Sequence, residues 1–290
     1  MVKTRQYGGI KRIGFANSSV PGFGIEVIEL ADVLQRVGFS LLASPRRTTF
    51  YQLTLVTGGT LEHEIDFVRY KLKVGMLAFV RPDQVQRLTV NHRSKAHMLL
   101  IEPSFMVPDL LGLHLSAVAP VLRPVQSAYE AFLAVQREYF LCRDHPGHKV
   151  SESILQHQLL VLLFQMQRQS ERLMPQRPSE NSGVFQRFEE EVEKLFTSER
   201  SVSVYARRLG CSEKTLDRAC ASAVAITPKQ LIQRRVILEA KRVLAHSDAS
   251  VKSLAHDLGF SEVTNFVKYF RRATAESPAA FRKRIRTRIS

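Results

Sequence analysis

The chain of 290 residues has no tryptophan, only three cysteines and no long uncharged apolar run. The cysteines, Cys142, Cys211 and Cys220, are odd in number, far apart and form no CxxC pair. That excludes a disulfide framework and fits a reducing compartment. The most apolar stretch, ILQHQLLVLLFQM, is broken by His157 and by glutamines. It is too short and too polar to cross a bilayer, so no membrane partner is expected and a buried or interfacial helix is. The opening MVKTRQYGGIKRIGFANSS has no apolar core and is expected not to act as a secretory signal. Neither a Ser/His/Asp arrangement nor a glycine-rich phosphate loop is present. No enzyme chemistry and no cofactor are expected.

Acidic residues are the scarcest class relative to their counterpart: 27 Asp+Glu face 42 Lys+Arg, a net charge of +15. The imbalance is local. From residue 200 onward there are 19 basic and 7 acidic side chains, which leaves 23 against 20 before it. A basic excess confined to the last third points to a polyanion-binding module joined to a near-neutral domain.

The pattern changes twice along the chain. Residues 1–22 read as a basic arm. From 23 to about 101 short strands dominate: FYQLTLVT, MLAFV after Gly75, a turn at Arg81-Pro82-Asp83, then AHMLLIEP. Turn signals every eight to twelve residues suggest a small sandwich or barrel. From Ser127 the apolar period becomes helical, first with Tyr129, Phe132, Leu133, Gln136 and Phe140. After the break HPGH, a second helix over Ser151–Gln169 places Ile154, Leu155, Leu159, Leu162, Leu163 and Met166 on one face. RLMPQRPSENSG over 172–183 is a linker by composition. Everything after it reads as helix. The expectation is a two-domain α+β protein: a β domain with packed helices over 23–171 and an all-α domain over 184–290.

The all-α part contains an internal repeat. YARRLGCSE (205–213) matches LAHDLGFSE (254–262) at an offset of 49, whereas Leu216 with Phe266 and Pro228 with Pro278 match at 50. One residue is therefore inserted after the Ser-Glu. Each copy reads helix, glycine turn, serine cap, helix, then Thr-Pro or Ser-Pro. Gly210 and Gly259 suit the left-handed end of a helix. Ser212 and Ser261 are placed to accept from free amides of the next helix. This is a helix-turn-helix, used twice, with a long helix from Pro228 to about His246 between the copies. In the first copy Leu216 and Cys220 form the buried pair, leaving Lys214, Asp217 and Arg218 outward. In the second, Phe266 and Phe270 are buried and Val263, Thr264, Asn265 and Lys268 face out. Asn, Lys and Arg suit adenine and guanine edges, Asp a cytosine amino group, Val a thymine methyl. Arg207, Arg271 and Arg272, with Ser212 and Ser261 at the turns, are the phosphate candidates. The tail FRKRIRTRIS adds five basic residues between 282 and 288.

These residues resemble the DNA-binding domain of the AraC/XylS family of bacterial transcription regulators. The family's second unit reads roughly "IA…GF…S.F.R.FK…G.SP..YR"; here LAHDLGFSEVTNFVKYFRRATAESPAAFRK stands in its place. The family usually has Phe where this chain has Cys220, and Gly where it has Ala225 and Ala275. The resemblance implies that both second helices enter successive major-groove segments, about 34 Å apart. It also implies a cupin-like, jelly-roll effector domain through Phe50–Leu88. Relatives often carry histidine at Arg46 or Arg47 and at Gln86. EHEIDF keeps a lone His63, and His92 and His97 flank a charged turn, so no metal ligation is expected. Arg46, Tyr51, His63 and Arg81 are the candidate anchors for a small effector, with arginine suited to a carboxylate.

The expected function is a ligand-responsive regulator, an activator by family habit. Its partners would be promoter double-stranded DNA, a small-molecule effector, a second copy through helices in 127–169, and RNA polymerase if it activates. Its place would be the bacterial cytoplasm, on the nucleoid. Two other readings stay open: a regulator whose barrel only dimerises, and a cupin metalloenzyme fused to a DNA-binding domain.

Overall fold

The computed structural model describes residues 10–106, 113, 115, 118–145, 149–173, 182–224 and 226–289. Most of the expected linker, part of the arm, most of HPGH and Ala225 lie outside the described residues. The chain divides into two compact units, Lys11–Met174 and Pro175–Ser290.

Among the described residues the first unit holds ten strands in two five-stranded sheets. One sheet contains β1 (Lys11–Ile13), β3 (Arg46–Thr48), β8 (Val85–Thr89), β5 (Thr60–Ile65) and β6 (Val68–Lys73), in that spatial order. The other contains β10 (Val121–Leu122), β7 (Leu77–Val80), β4 (Tyr51–Gly58), β9 (Lys95–Ile101) and β2 (Ile25–Glu29). Period-two alternation sorts each strand onto two faces. Along β4, Leu53 and Leu55 join a core with Phe132, Val135 and Tyr139 of α2 (Gln126–Asp144) and with Leu155, Leu159, Leu162, Leu163 and Met166 of α3 (Lys149–Leu173). The alternate residue Val56 packs inside the barrel with Ile28, Leu61, Leu72, Ala78, Leu88 and Met98.

Three features depart from the sequence expectations. Residues 11–13 are not arm but a strand, parallel to β3, with Lys11 opposite Arg46. LADVLQRVGFSLLA forms α1 (Leu30–Ala43) inside a region read as strand; it is kinked at Gly38, φ 76°, ψ 159°. HEIDFVRYKL, where no turn was placed, is the hairpin β5–β6, turning at Asp66 and Phe67 with φ 46° and 72°. Its two alternations are out of phase across that turn, which blurs the period. The buried face of α2 also differs: Ala128, Ala131, Phe132, Val135, Tyr139 and Cys142 are buried, while Tyr129, Leu133, Gln136 and Phe140 sit at its margins. The face expected for α3 is buried except Ile154, which is 42% exposed.

In the second unit the described residues form helices joined by turns: α4 (Ser182–Leu195), α5 (Val202–Arg208), α6 (Glu213–Val224), α7 (Pro228–His246), α8 (Val251–Asp257), α9 (Val263–Thr274) and α10 (Pro278–Ile289). Thr227 and Gln230 form a reciprocal capping box at the start of α7, with Pro228 in its first turn. Ser277 caps α10 by accepting from the Ala280 amide at 3.2 Å. The basic tail is thus largely helix, and two of its cations are engaged internally. Arg282 donates to the Ala249 carbonyl and Arg284 pairs with Glu276.

Candidate nucleic-acid interface and barrel interior

The pair α5–α6 and the pair α8–α9 are built alike from the backbone up. At each glycine the helix ends in a Schellman turn. Gly210 (φ 64°) donates to Arg207 O and Cys211 to Ala206 O; Gly259 (φ 72°) donates to His256 O and Phe260 to Ala255 O. The first helices of the two pairs start at an offset of 49 and the second helices at 50. The extra residue therefore lies in the turn ahead of α9. This corrects the capping expectation for one serine. Ser212 caps α6, its Oγ accepting from the Thr215 amide at 3.1 Å. Ser261 sits one residue too early, and Glu262 occupies the cap position, its carboxylate accepting from the Thr264 hydroxyl at 3.1 Å rather than from a backbone amide.

The apolar sides of α6 and α9 face inward through Leu216, Ala219 and Cys220 and through Phe266 and Phe270, all fully buried. Burial pushes the Cys220 thiol up to about 12, so it behaves as a small apolar residue. On the opposite sides Lys214, Asp217 and Arg218, and Thr264, Asn265 and Lys268, are exposed; Val263 is half-buried. Arg207, Ser212, Ser261, Arg271 and Arg272 are exposed as well. With the offset of 50, Arg218 corresponds to Lys268, but Arg271 and Arg272 correspond to Ala221 and Ser222.

A tie between the two pairs was not anticipated from the sequence. Arg200, between α4 and α5, donates to Leu258 O at 2.7 Å and to Gly259 O, and its guanidinium lies 4.0 Å from the Phe260 ring centre. The carbonyl of Thr197 lies 2.1 Å from where a side chain on Gly259 would begin, whereas Gly210 has open space there. Gly259 is therefore required twice, for its φ and for this approach. At Ala275, where glycine was expected, the backbone is left-handed with φ 63°.

In the β unit, the four candidate anchors separate. Tyr51 faces the helices, stacked on Phe79 at 5.9 Å. Arg81 holds the chain near β10, donating to Leu115 O and Val118 O. These two do not join the interior group. Arg46 and His63 do, 3% and 0% exposed. Arg46 pairs with Gln86 across β3–β8, and His63 with Leu88 across β5–β8. The side chains connect in one direction: His63 Nε2 to Gln86 Oε1 at 2.9 Å, Gln86 Nε2 to Gln52 Oε1 at 3.2 Å, and Gln52 Nε2 to Thr54 Oγ1 at 3.2 Å. Burial, the largest influence, holds His63 neutral, its pKa lowered to about 4, with Arg46 adding to the depression. Arg46 is lowered to about 10 by burial and stays charged at neutral pH. Gln52, Thr54 and Thr48 were missed as members of this group. The alternation 46/48, 52/54, 61/63/65 would have found them once the hairpin was recognised. Among the described residues no cluster of three His, Cys, Asp or Glu could hold a metal ion.

Family models match both units: a helix-turn-helix domain over residues 205–284 and an AraC-like ligand binding domain over 38–171. The chain belongs to the AraC/XylS family. Members of this family are transcription regulators. Similar proteins include the HTH-type transcriptional activator RhaS of Escherichia coli O81 (strain ED1a), 25% identical, covering 81% of this chain and 85% of that one. RhaS of Pectobacterium carotovorum subsp. carotovorum (strain PC1) is 35% identical over 77 residues, 27% of this chain and 28% of that one. Among solved structures, the unsaturated fatty acid-bound wild-type ToxT of Vibrio cholerae strain SCE256 is 13% identical, with a TM-score of 0.39 over 89% of this chain and 94% of that one. The AraC/XylS assignment places the repeat and the strand-rich half in one known combination of domains, as the sequence implied.

Proposed function

We propose that this chain regulates transcription by laying α6 and α9 into successive major-groove segments of promoter DNA, under control of a small effector held in the β unit. The observation that carries this is the paired display. Two helices with buried apolar sides present Lys214, Asp217, Arg218 and Val263, Thr264, Asn265, Lys268 outward. These side chains read base edges. Arg207, Arg271, Arg272, Ser212 and Ser261 meet phosphates, Ser212 through the cap it already forms. RhaS is named an activator, which supports the same sign here, with RNA polymerase as a further partner. The protein would work in the cytoplasm, on the nucleoid.

A homodimer forms through α2 and α3. An apolar groove there is lined by Ala131, Ala134, Val150, Ile154 and Val161. Val150 is 62% exposed and Val161 51%, unusual for valine on a helix.

The test is selection of fragmented genomic DNA by the full-length chain. A bipartite motif with half-sites about one turn apart is expected. No enrichment, with or without added cell metabolites, overturns the proposal.

A further inference from the structure

The barrel interior holds an imbalance that its own residues do not resolve. Arg46 is buried, yet its one described hydrogen bond goes to a neutral group, the Leu42 carbonyl at 2.5 Å, and among the described residues no carboxylate pairs with it. A buried cation without a counter-charge is costly, and proteins seldom keep one without a use for it. Two strands away on the same inner face, His63 is fully buried and its Nδ1 has no partner. Gln86 turns its amide oxygen toward the ring and its amide nitrogen toward Gln52, an arrangement that goes with the tautomer protonated on Nε2. Nε2 gives its hydrogen to Gln86, so in a neutral ring Nδ1 carries a lone pair. The interior thus presents one fixed positive charge and one buried acceptor. They come from β3 and β5, which flank β8 in the sheet, and sit two residues apart along it, opposite Gln86 and Leu88, so their backbones are about 12 Å apart.

Resting on the effector-controlled reading above, we propose that the ligand is a compact hydroxycarboxylic acid, its carboxylate against the Arg46 guanidinium and its hydroxyl donating to His63 Nδ1. The guanidinium fork takes a carboxylate in bidentate fashion, which neutralises the buried charge. The hydroxyl fills the orphaned acceptor. A neutral sugar would leave the cation unmatched. A simple acid without the hydroxyl would leave Nδ1 unmatched, and sites with a buried polar atom discriminate strongly against a ligand that cannot reach it.

The test uses the full-length protein with 2-hydroxy acids of two to six carbons, their deoxy acids, their primary amides, glycerol and orthophosphate. Thermal melting and isothermal titration are the readouts. At least one hydroxy acid should bind tenfold or more tightly than its deoxy partner, and its amide should not bind. Arg46→Met should abolish binding of every acid without lowering the melting temperature, and Arg46→Lys should retain part of it. His63→Phe should keep acid binding but bring the hydroxy-to-deoxy ratio close to one; this ratio stays readable even if Arg46→Met fails to fold. Binding of glycerol or phosphate alone overturns the ligand class while leaving an effector site in place. If none of the compounds binds, the class falls, and a cell metabolite extract then decides the wider reading. A raised melting temperature with extract keeps the effector and discards the hydroxy acid; no change discards both.

Discussion

Asn265 and Arg271 sit two turns apart on α9, both exposed, and are assigned different tasks. Asn265→Ala should weaken a specific site by ~1–3 kcal/mol and relax preference at one base pair. Arg271→Ala should weaken all sequences alike and lower the salt slope by about one charge. Titrations against specific and scrambled duplexes at two salt concentrations separate the two; identical behaviour would mean the sorting is wrong. Ala275 offers a stability test. Its φ of 63° costs a side-chain-bearing residue about 1 kcal/mol, so Ala275→Gly should raise the denaturation midpoint. His63 gives a pH dependence. Its folded pKa, about 4, lies below the ordinary histidine value, so the unfolded chain binds more protons between them. Stability is therefore full above about pH 6.5 and falls as the pH drops toward 4, by ~2 kcal/mol at pH 5. Urea midpoints at pH 7 and pH 5 should show that loss, and His63→Phe should remove most of it.

Among elements, the two glycine turns look interchangeable in sequence but not in packing. Gly210→Ala should cost about 1 kcal/mol for its φ alone. Gly259→Ala adds a clash with the Thr197 carbonyl and should cost several times more, about 3 kcal/mol or above. Chemical denaturation of the two variants compares them directly. The helical unit was legible because its signals are local: glycine, cap, proline and a 3.6-residue period lie within a few positions of each other. The repeat exposed even the inserted residue, though it lies in the turn before α9 rather than in the helix. The β unit was legible only as a class. Its hairpin at Asp66-Phe67 carries no glycine, and α1 is kinked at Gly38 and bordered by strands, so neither announces itself. Of the four proposed anchors only Arg46 and His63 share an interior, because a strand's facing depends on register, which a single sequence does not display. Arg200 was invisible for a related reason: its partners lie 58 and 59 residues further on.

For the molecule as a whole, the proposed dimer contact and the proposed DNA-reading helices lie in different units, so mutation should separate them. Val161→Asp places a charge in the apolar groove of α2 and α3 and should shift the full chain from dimer to monomer in sedimentation, leaving the helical content unchanged. The repeat has one further consequence. Its two projecting helices match position by position, yet the last turn of α9 carries Arg271 and Arg272 where α6 carries Ala221 and Ser222. On the proposed assignment, the duplicated module would be a polar tool, with an anchoring end and an inspecting end. The half-site under α9 should stay shielded from hydroxyl radicals at salt concentrations that already free the other half. An operator of this protein accordingly has a direction, and inverting it in front of a promoter turns the whole regulator around.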